Sequence, residues 1–128
     1  MPSKADGTVS DIIEKWSAGF RQLDADALAS LYSKNAFFFG SNPTLYCGHD
    51  GVAAYFNALP RWRSPSVHFT DVKTAQVNVD LINFAGAANF DLGEEGPPLS
   101  VKISWVIARE DGGWKIVSHH VSSKVALL

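Results

Sequence analysis

A single cysteine, Cys47, among 128 residues excludes an internal disulfide and any paired-cysteine metal knuckle. Cys47 reads either as a reactive thiol or as a small apolar residue packed in a loop beside Tyr46, and the sequence places no acid or base to activate it. No HExxH pattern occurs, and His49 and His68 stand apart from any ligand spacing, so no metal is expected and no other cofactor is implied. Charged residues are few, 19% of the chain, and nearly balanced. The net charge of −2 creates no positive field for phosphate backbones or anionic lipid, so neither nucleic acid nor a membrane is an expected partner. No apolar run approaches a signal h-region or a membrane span, and the start Met1-Pro2-Ser3-Lys4-Ala5-Asp6-Gly7 is polar, so a cytoplasmic location is expected. Repeats and low-complexity stretches are lacking too, which leaves hydrophobic period as the guide to organisation.

What is present is apolar and aromatic: 46% of the residues are hydrophobic and 12% are Phe, Trp or Tyr, enough for one buried core. Residues 1–128 are read as a single domain. Val9, Ile12, Ile13, Trp16, Phe20 and Leu23 recur at helical spacing behind a capping pattern at Thr8 and Asp11. Asp24 is a second N-cap, followed by Ala27, Leu28, Leu31 and Tyr32 on a short helix ending near Asn35. Ala36 to Phe39 reads as a short strand closed by Gly40, Asn42 and Pro43. A third helix starts at Asp50, carries Val52, Tyr55, Phe56 and Leu59, and stops at Pro60.

The rest alternates. Strands are expected at Val67 to Val79, Leu81 to Phe90, Leu99 to Arg109 and Trp114 to Ser123, with Asp80 in a turn and a hairpin at Asp111-Gly112-Gly113. The stretch Gly93-Glu94-Glu95-Gly96-Pro97-Pro98 separates another pair. Val101, Ile103, Trp105 and Ile107 form one apolar face that should meet the helices. Helices first and strands afterwards is an α+β pattern, three amino-terminal helices on one antiparallel sheet.

This order of elements resembles the nuclear transport factor 2-like superfamily, with its strongly curved, cystatin-like cone. Arg109-x-Asp111-Gly112-x-Trp114-x-Ile116-Val117-x-x-His120-x-Ser122 is similar to the closing hairpin of the calcium/calmodulin-dependent protein kinase II association domain. Asp24-Ala25-Asp26-Ala27-Leu28 and Gly48-x-x-Gly51 resemble the SnoaL-like branch. The resemblance implies a conical pocket rimmed by helices and a homodimer joined through the outer face of the sheet. It implies nothing about phosphoryl transfer, because fold does not transmit function.

On such a cone, His120, in register with Trp114, Ile116 and Ser118, is the candidate catalytic group pointing into the pocket; its alternative is a histidine bonded to a neighbouring strand or to Ser122. Adjacent His119 is then expected on the opposite face. Asp91 is the candidate base to pair with His120, or else a solvated aspartate beside Gly93. Asn89, Trp105, Tyr32, Trp62 and Trp16 are the candidate ligand-binding residues, suited to a small apolar or aromatic ligand.

Phe39-Gly40-Ser41-Asn42-Pro43 holds no carboxylate where the ketosteroid isomerase pattern has its aspartate, and Asn89 and Trp105 stand where the association domain has arginines. The expected function is therefore a small-molecule-binding homodimer with an aromatic-lined pocket. Its alternatives are a SnoaL-like or ketosteroid-isomerase-like enzyme (isomerase, cyclase or dehydratase) using His120 with Asp91, and a purely structural association module.

Overall fold

The computed structural model describes residues 3–93 and 98–128, so most of the turn expected at 93–98 lies outside the described residues. Helix α1 (Lys4–Arg21) begins a turn earlier than Thr8: the Ser3 hydroxyl accepts from the Asp6 N–H at 3.0 Å and the Asp6 carboxylate accepts from the Ser3 N–H at 3.2 Å. Its buried face is Val9, Ile12, Trp16 and Phe20. Each such side chain contributes roughly 1.5–3 kcal/mol on burial, which holds a helix that propensity alone would leave marginal. Asp24 caps α2 (Ala25–Ala29), accepting from the Ala27 N–H at 3.1 Å.

The second helix is shorter than its spacing suggested. The chain leaves it at Ser30 and enters strand β1 (Tyr32–Phe39), so Tyr32 is a strand residue. After a short β2 (Leu45–Cys47), which hydrophobic period did not reveal, α3 (Gly48–Asn57) starts two residues ahead of Asp50. Four long strands follow: β3 (Ser66–Asn78), β4 (Leu81–Asp91), β5 (Leu99–Glu110) and β6 (Gly113–Ser123). Asp111 and Gly112 both take positive φ, 50° and 81°, as a two-residue type I′ hairpin requires.

The strands form one curved, six-stranded sheet in the order β2-β1-β6-β5-β4-β3. It is mixed rather than wholly antiparallel, because β1 runs parallel to β6 while every other neighbour is antiparallel. The chain between them, β2, α3 and the strands β3 to β5, supplies the long connection that a parallel pair needs. Bulges break the register at several points, among them one beside Gly86 and one on β6. On β3, Asp71 and Val72 together occupy the place of one residue between the pairs Thr70–Ala87 and Lys73–Ala85, with Asp71 at φ 55°. They face Gly86, where a Cβ would lie 3.1 Å from the Thr70 carbonyl oxygen, so glycine permits the bend. On β6, Val117 is extra between the pairs Val106–Ser118 and Ile107–Ile116.

The concave face meets the helices. Ile103, Trp105 and Ile107 of β5, with Ile82, Phe84 and Ala88 of β4, pack against Val9, Trp16 and Phe20 in one core. The apolar face expected of β5 is the one observed. No described helix is long and apolar enough to cross a membrane.

Candidate functional site

The open end of the cone encloses a hollow of about 530 Å³. Trp16 and Phe20 from α1, Phe38 from β1, Tyr55 and Phe56 from α3, Trp62, and Phe90 from β4 supply aromatic walls, and Ile103, Val121 and Leu99 complete the apolar lining. Trp16 anchors the aromatic array, with its ring centroid 5.6 Å from Phe20 and 6.1 Å from Phe90. The polar groups are few: Ser41, Tyr55, Ser100, Ser122, Ser123 and His119. No carboxylate and no Lys or Arg is among the described lining residues.

His119 is the polar centre. It is 3% exposed and its ring stacks on Phe38, with centroids 3.9 Å apart and planes at 14°. Its Nδ1 lies 2.9 Å from Trp105 Nε1 and 2.9 Å from the Tyr32 hydroxyl. An indole N–H can only donate, so Nδ1 accepts and the ring proton sits on Nε2. The Tyr32 hydroxyl then also donates to Nδ1, and it accepts from Trp16 Nε1 at 2.9 Å. This tautomer is assigned from the partners that the ring meets.

Burial pushes the imidazole pKa down to about 3, with the neighbouring charge of His120 a smaller contribution in the same direction. Burial likewise pushes the Tyr32 phenol upward, outweighing the opposing bond from Trp16. Both groups are therefore neutral at physiological pH. Nε2 meets no hydrogen-bond partner among the described residues, and none of their fully buried side-chain nitrogen or oxygen atoms is left without one. Nε2 is accordingly the atom of the ring that reaches open space, and the space that His119 lines is the hollow. A second polar pair stands on another wall: the Tyr55 hydroxyl accepts from the Ser41 N–H at 3.0 Å and lies 2.8 Å from Ser41 Oγ.

The bulge at Val117 decides which histidine faces inward. Unbroken alternation from Ile116 would turn Ser118 and His120 toward the core. One extra residue reverses the parity, so His119 and Val121 point in and His120 points out. His120 is exposed, 5.4 Å from the Phe39 ring on the convex face, and its expected place in the pocket is corrected to His119.

Asp91 and Asn89 also lie on the convex face, since Ala88 and Phe90 are the inward residues of that part of β4. Asn89 donates to the His68 carbonyl at 3.0 Å and to Thr70 Oγ1 at 3.0 Å, and it accepts from Ser100 Oγ at 2.7 Å, which makes it a clip between strands. Asp91 is exposed and accepts from the Gly93 N–H at 3.0 Å, a turn-stabilising role. His120 pairs through Ser104 with Ala85, six residues along β4 from Asp91. At ~3.3 Å per strand residue that is roughly 20 Å, so the two do not meet.

Of the ligand-binding candidates, Trp16 and Trp62 line the hollow, while Trp105 and Tyr32 stand behind His119 and orient it. His49 bonds the Tyr32 carbonyl at 2.7 Å, and His68 is exposed. Cys47 is exposed on β2 as the residue before α3, not packed in a loop. No group of three His, Cys, Asp or Glu side chains able to hold a metal occurs among the described residues.

The shape is widely shared. A candidate calcium/calmodulin-dependent protein kinase II association domain from Xanthomonas campestris superposes with a TM-score of 0.84 at 18% identity, over 97% of this chain and 91% of that one. A nuclear transport factor 2-like protein of unknown function from Pseudomonas putida KT2440 gives 0.83 at 15% identity, over 99% and 92%. A domain of unknown function with a cystatin-like fold from Nostoc punctiforme gives 0.82 at 14% identity, over 99% and 82%. Likeness at these identities shows the fold alone. No curated protein matches the chain in sequence. The pattern of the SnoaL-like domain, however, matches residues 9–126, and the chain belongs to that family.

Proposed function

We propose that the chain is a small-molecule-binding domain whose hollow takes a neutral, flat and largely apolar molecule. The observation that carries this reading is the lining: aromatic and aliphatic walls around about 530 Å³, without a carboxylate or a cation among the described residues. A cavity of that size and polarity suits a small organic ligand. A charged ligand would lose its hydration without gaining a counter-ion. The hollow also weighs against a purely structural module, whose interior its own side chains would fill.

An enzyme built on His120 and Asp91 finds no support, since both are exposed on the convex face. Any chemistry in the hollow would run on a neutral His119, which can polarise an acceptor but holds no proton to give as imidazolium near neutral pH.

A homodimer through the outer face accompanies this reading. Phe37 and Phe39 of β1 are 58% and 37% exposed, and Leu45, paired with Phe39 on β2, is 43% exposed. Apolar side chains set side by side on an open sheet face are what a partner copy would cover.

Tetralin and its 1-carboxylate test the ligand class. Titrated against the protein and followed by tryptophan emission, which Trp16 and Trp62 should report, tetralin is expected to bind saturably and the carboxylate at least tenfold more weakly. Tighter binding of the carboxylate would refute the proposal.

A further inference from the structure

The hollow has one polar atom of unusual character. His119 Nε2–H is a donor on a side chain that is 3% exposed, at a wall otherwise made of Phe38, Ile103 and Val121. Its direction is not free to change. Trp105 can only donate, so Nδ1 must accept at 2.9 Å and the proton must stay on Nε2. The Phe38 stack fixes the ring plane. Nε2–H faces the open space of the hollow without a protein partner, so an acceptor on a ligand seated there gives it the hydrogen bond that the apolar walls around it cannot.

We infer that the ligand carries a carbonyl or an equivalent neutral acceptor, which accepts a hydrogen bond from His119 Nε2–H while its ring system lies among Trp16, Trp62 and Phe90. This rests on the reading of the hollow as a ligand site and narrows it to aryl ketones, enones and related planar carbonyl compounds. The chemistry of the hollow selects this class. A cationic or donor-only ligand would set donor against donor at Nε2. A hydrocarbon would leave Nε2–H unsatisfied, and an anion would find no cation among the described lining residues. Trp105 is a positioning residue: it acts through His119 and never meets the ligand, since it stands behind the wall. Bound in this way, a carbonyl is polarised toward its oxygen, which activates it without proton transfer.

The test uses the wild-type chain labelled with 15N at histidine and tryptophan, with 1-tetralone labelled with 13C at its carbonyl, and tetralin as the matched hydrocarbon. In the free protein, His119 is expected as the Nε2–H tautomer. Adding 1-tetralone should move the Nε2–H proton and the carbonyl carbon downfield together. Tetralin should perturb the Trp16 and Trp62 indole signals and leave the Nε2–H proton without a downfield shift. An Nδ1–H tautomer, or bound 1-tetralone whose carbonyl carbon resonates as it does in alkane solvent, would overturn the inference while tetralin binding kept the hollow as a ligand site. Failure of both probes to bind would remove the site and the inference with it. Trp105→Phe withdraws the obligate donor. In that variant Tyr32 alone still donates to Nδ1, so the Nε2–H tautomer should remain but its downfield shift on adding 1-tetralone should shrink as the ring loses one of its two anchors, and an unchanged shift would contradict the positioning role given to Trp105.

Discussion

Acidification from pH 7.5 to pH 5 should destabilise this protein mainly through one buried imidazole. His119 has a folded pKa of about 3 against an ordinary 6.5. Between those values the unfolded chain binds a proton that the native protein refuses, so stability falls as pH falls. At pH 5 an ordinary histidine is ~97% protonated, and the 1.5 pH units below 6.5 cost about 2 kcal/mol at ~1.36 kcal/mol per unit. Any folded value below about 4 gives the same loss, since native His119 is then still neutral at pH 5. For a chain of 128 residues this corresponds to a drop in Tm of about 7 °C.

The assay is urea unfolding at pH 7.5, 6.5, 5.5 and 5.0, on the wild type and on His119→Asn. Asparagine can still accept from Trp105 Nε1 but does not titrate. The variant should start lower by about 2–4 kcal/mol, because the stack on Phe38 is lost and a cavity remains. All other titrating groups are common to both proteins and cancel in the difference, so the wild type should lose about 2 kcal/mol more than the variant on going to pH 5. Parallel pH profiles would show that His119 is not held neutral, and the assignment of its network would fall.

Other outcomes follow from single contacts. Ligand affinity should stay level from pH 8 to pH 5, because the donor in the hollow does not titrate there; a loss centred near pH 6.5 would contradict this. Gly40→Ala puts a Cβ 2.5 Å from the Tyr55 ring, which should cost about 1–3 kcal/mol by chemical denaturation and weaken tetralin binding as Tyr55 shifts into the hollow. Ser33 Oγ donates to Glu110 Oε1 at 2.6 Å, and this bond holds the Glu110 carboxyl below its usual value. A group so lowered stabilises above its unfolded pKa, so Ser33→Ala should cost about 1 kcal/mol at neutral pH, and the gap should close as pH falls below 4.5 and Glu110 protonates. Phe37→Glu on the convex face should convert a dimer to a monomer in sedimentation velocity; a wild-type monomer at micromolar concentration would refute the dimer.

The long strands were legible because their alternation and turns are local: β5 reads apolar at Val101, Ile103, Trp105 and Ile107 on one face, and Asp111-Gly112 marks its hairpin. In sequence Tyr32 looks helical, because Leu28, Leu31 and Tyr32 fit a helical step. What places it on a strand is pairing with Ile116, more than eighty residues away, which no local pattern contains. The parallel β1–β6 contact was hidden for the same reason. The exchange of His120 for His119 had a signal. Ile116 and Val121, both apolar and both inward, are five residues apart, an odd step that plain alternation forbids and one bulge repairs. In sequence Trp105 and Tyr32 look like ligand contacts; that they hold the histidine instead depends on 2.9 Å geometry that sequence does not carry.

In the proposed complex a neutral His119, oriented from behind by Trp105, offers its Nε2–H to a flat molecule in the hollow. A crystal structure of the protein with 1-tetralone tests it most directly. The ring system should lie between Trp16 and Trp62, with the ketone oxygen about 2.7–3.2 Å from His119 Nε2. A ketone bound on the convex face beside His120, or seated in the hollow with its oxygen turned away from His119, would contradict it.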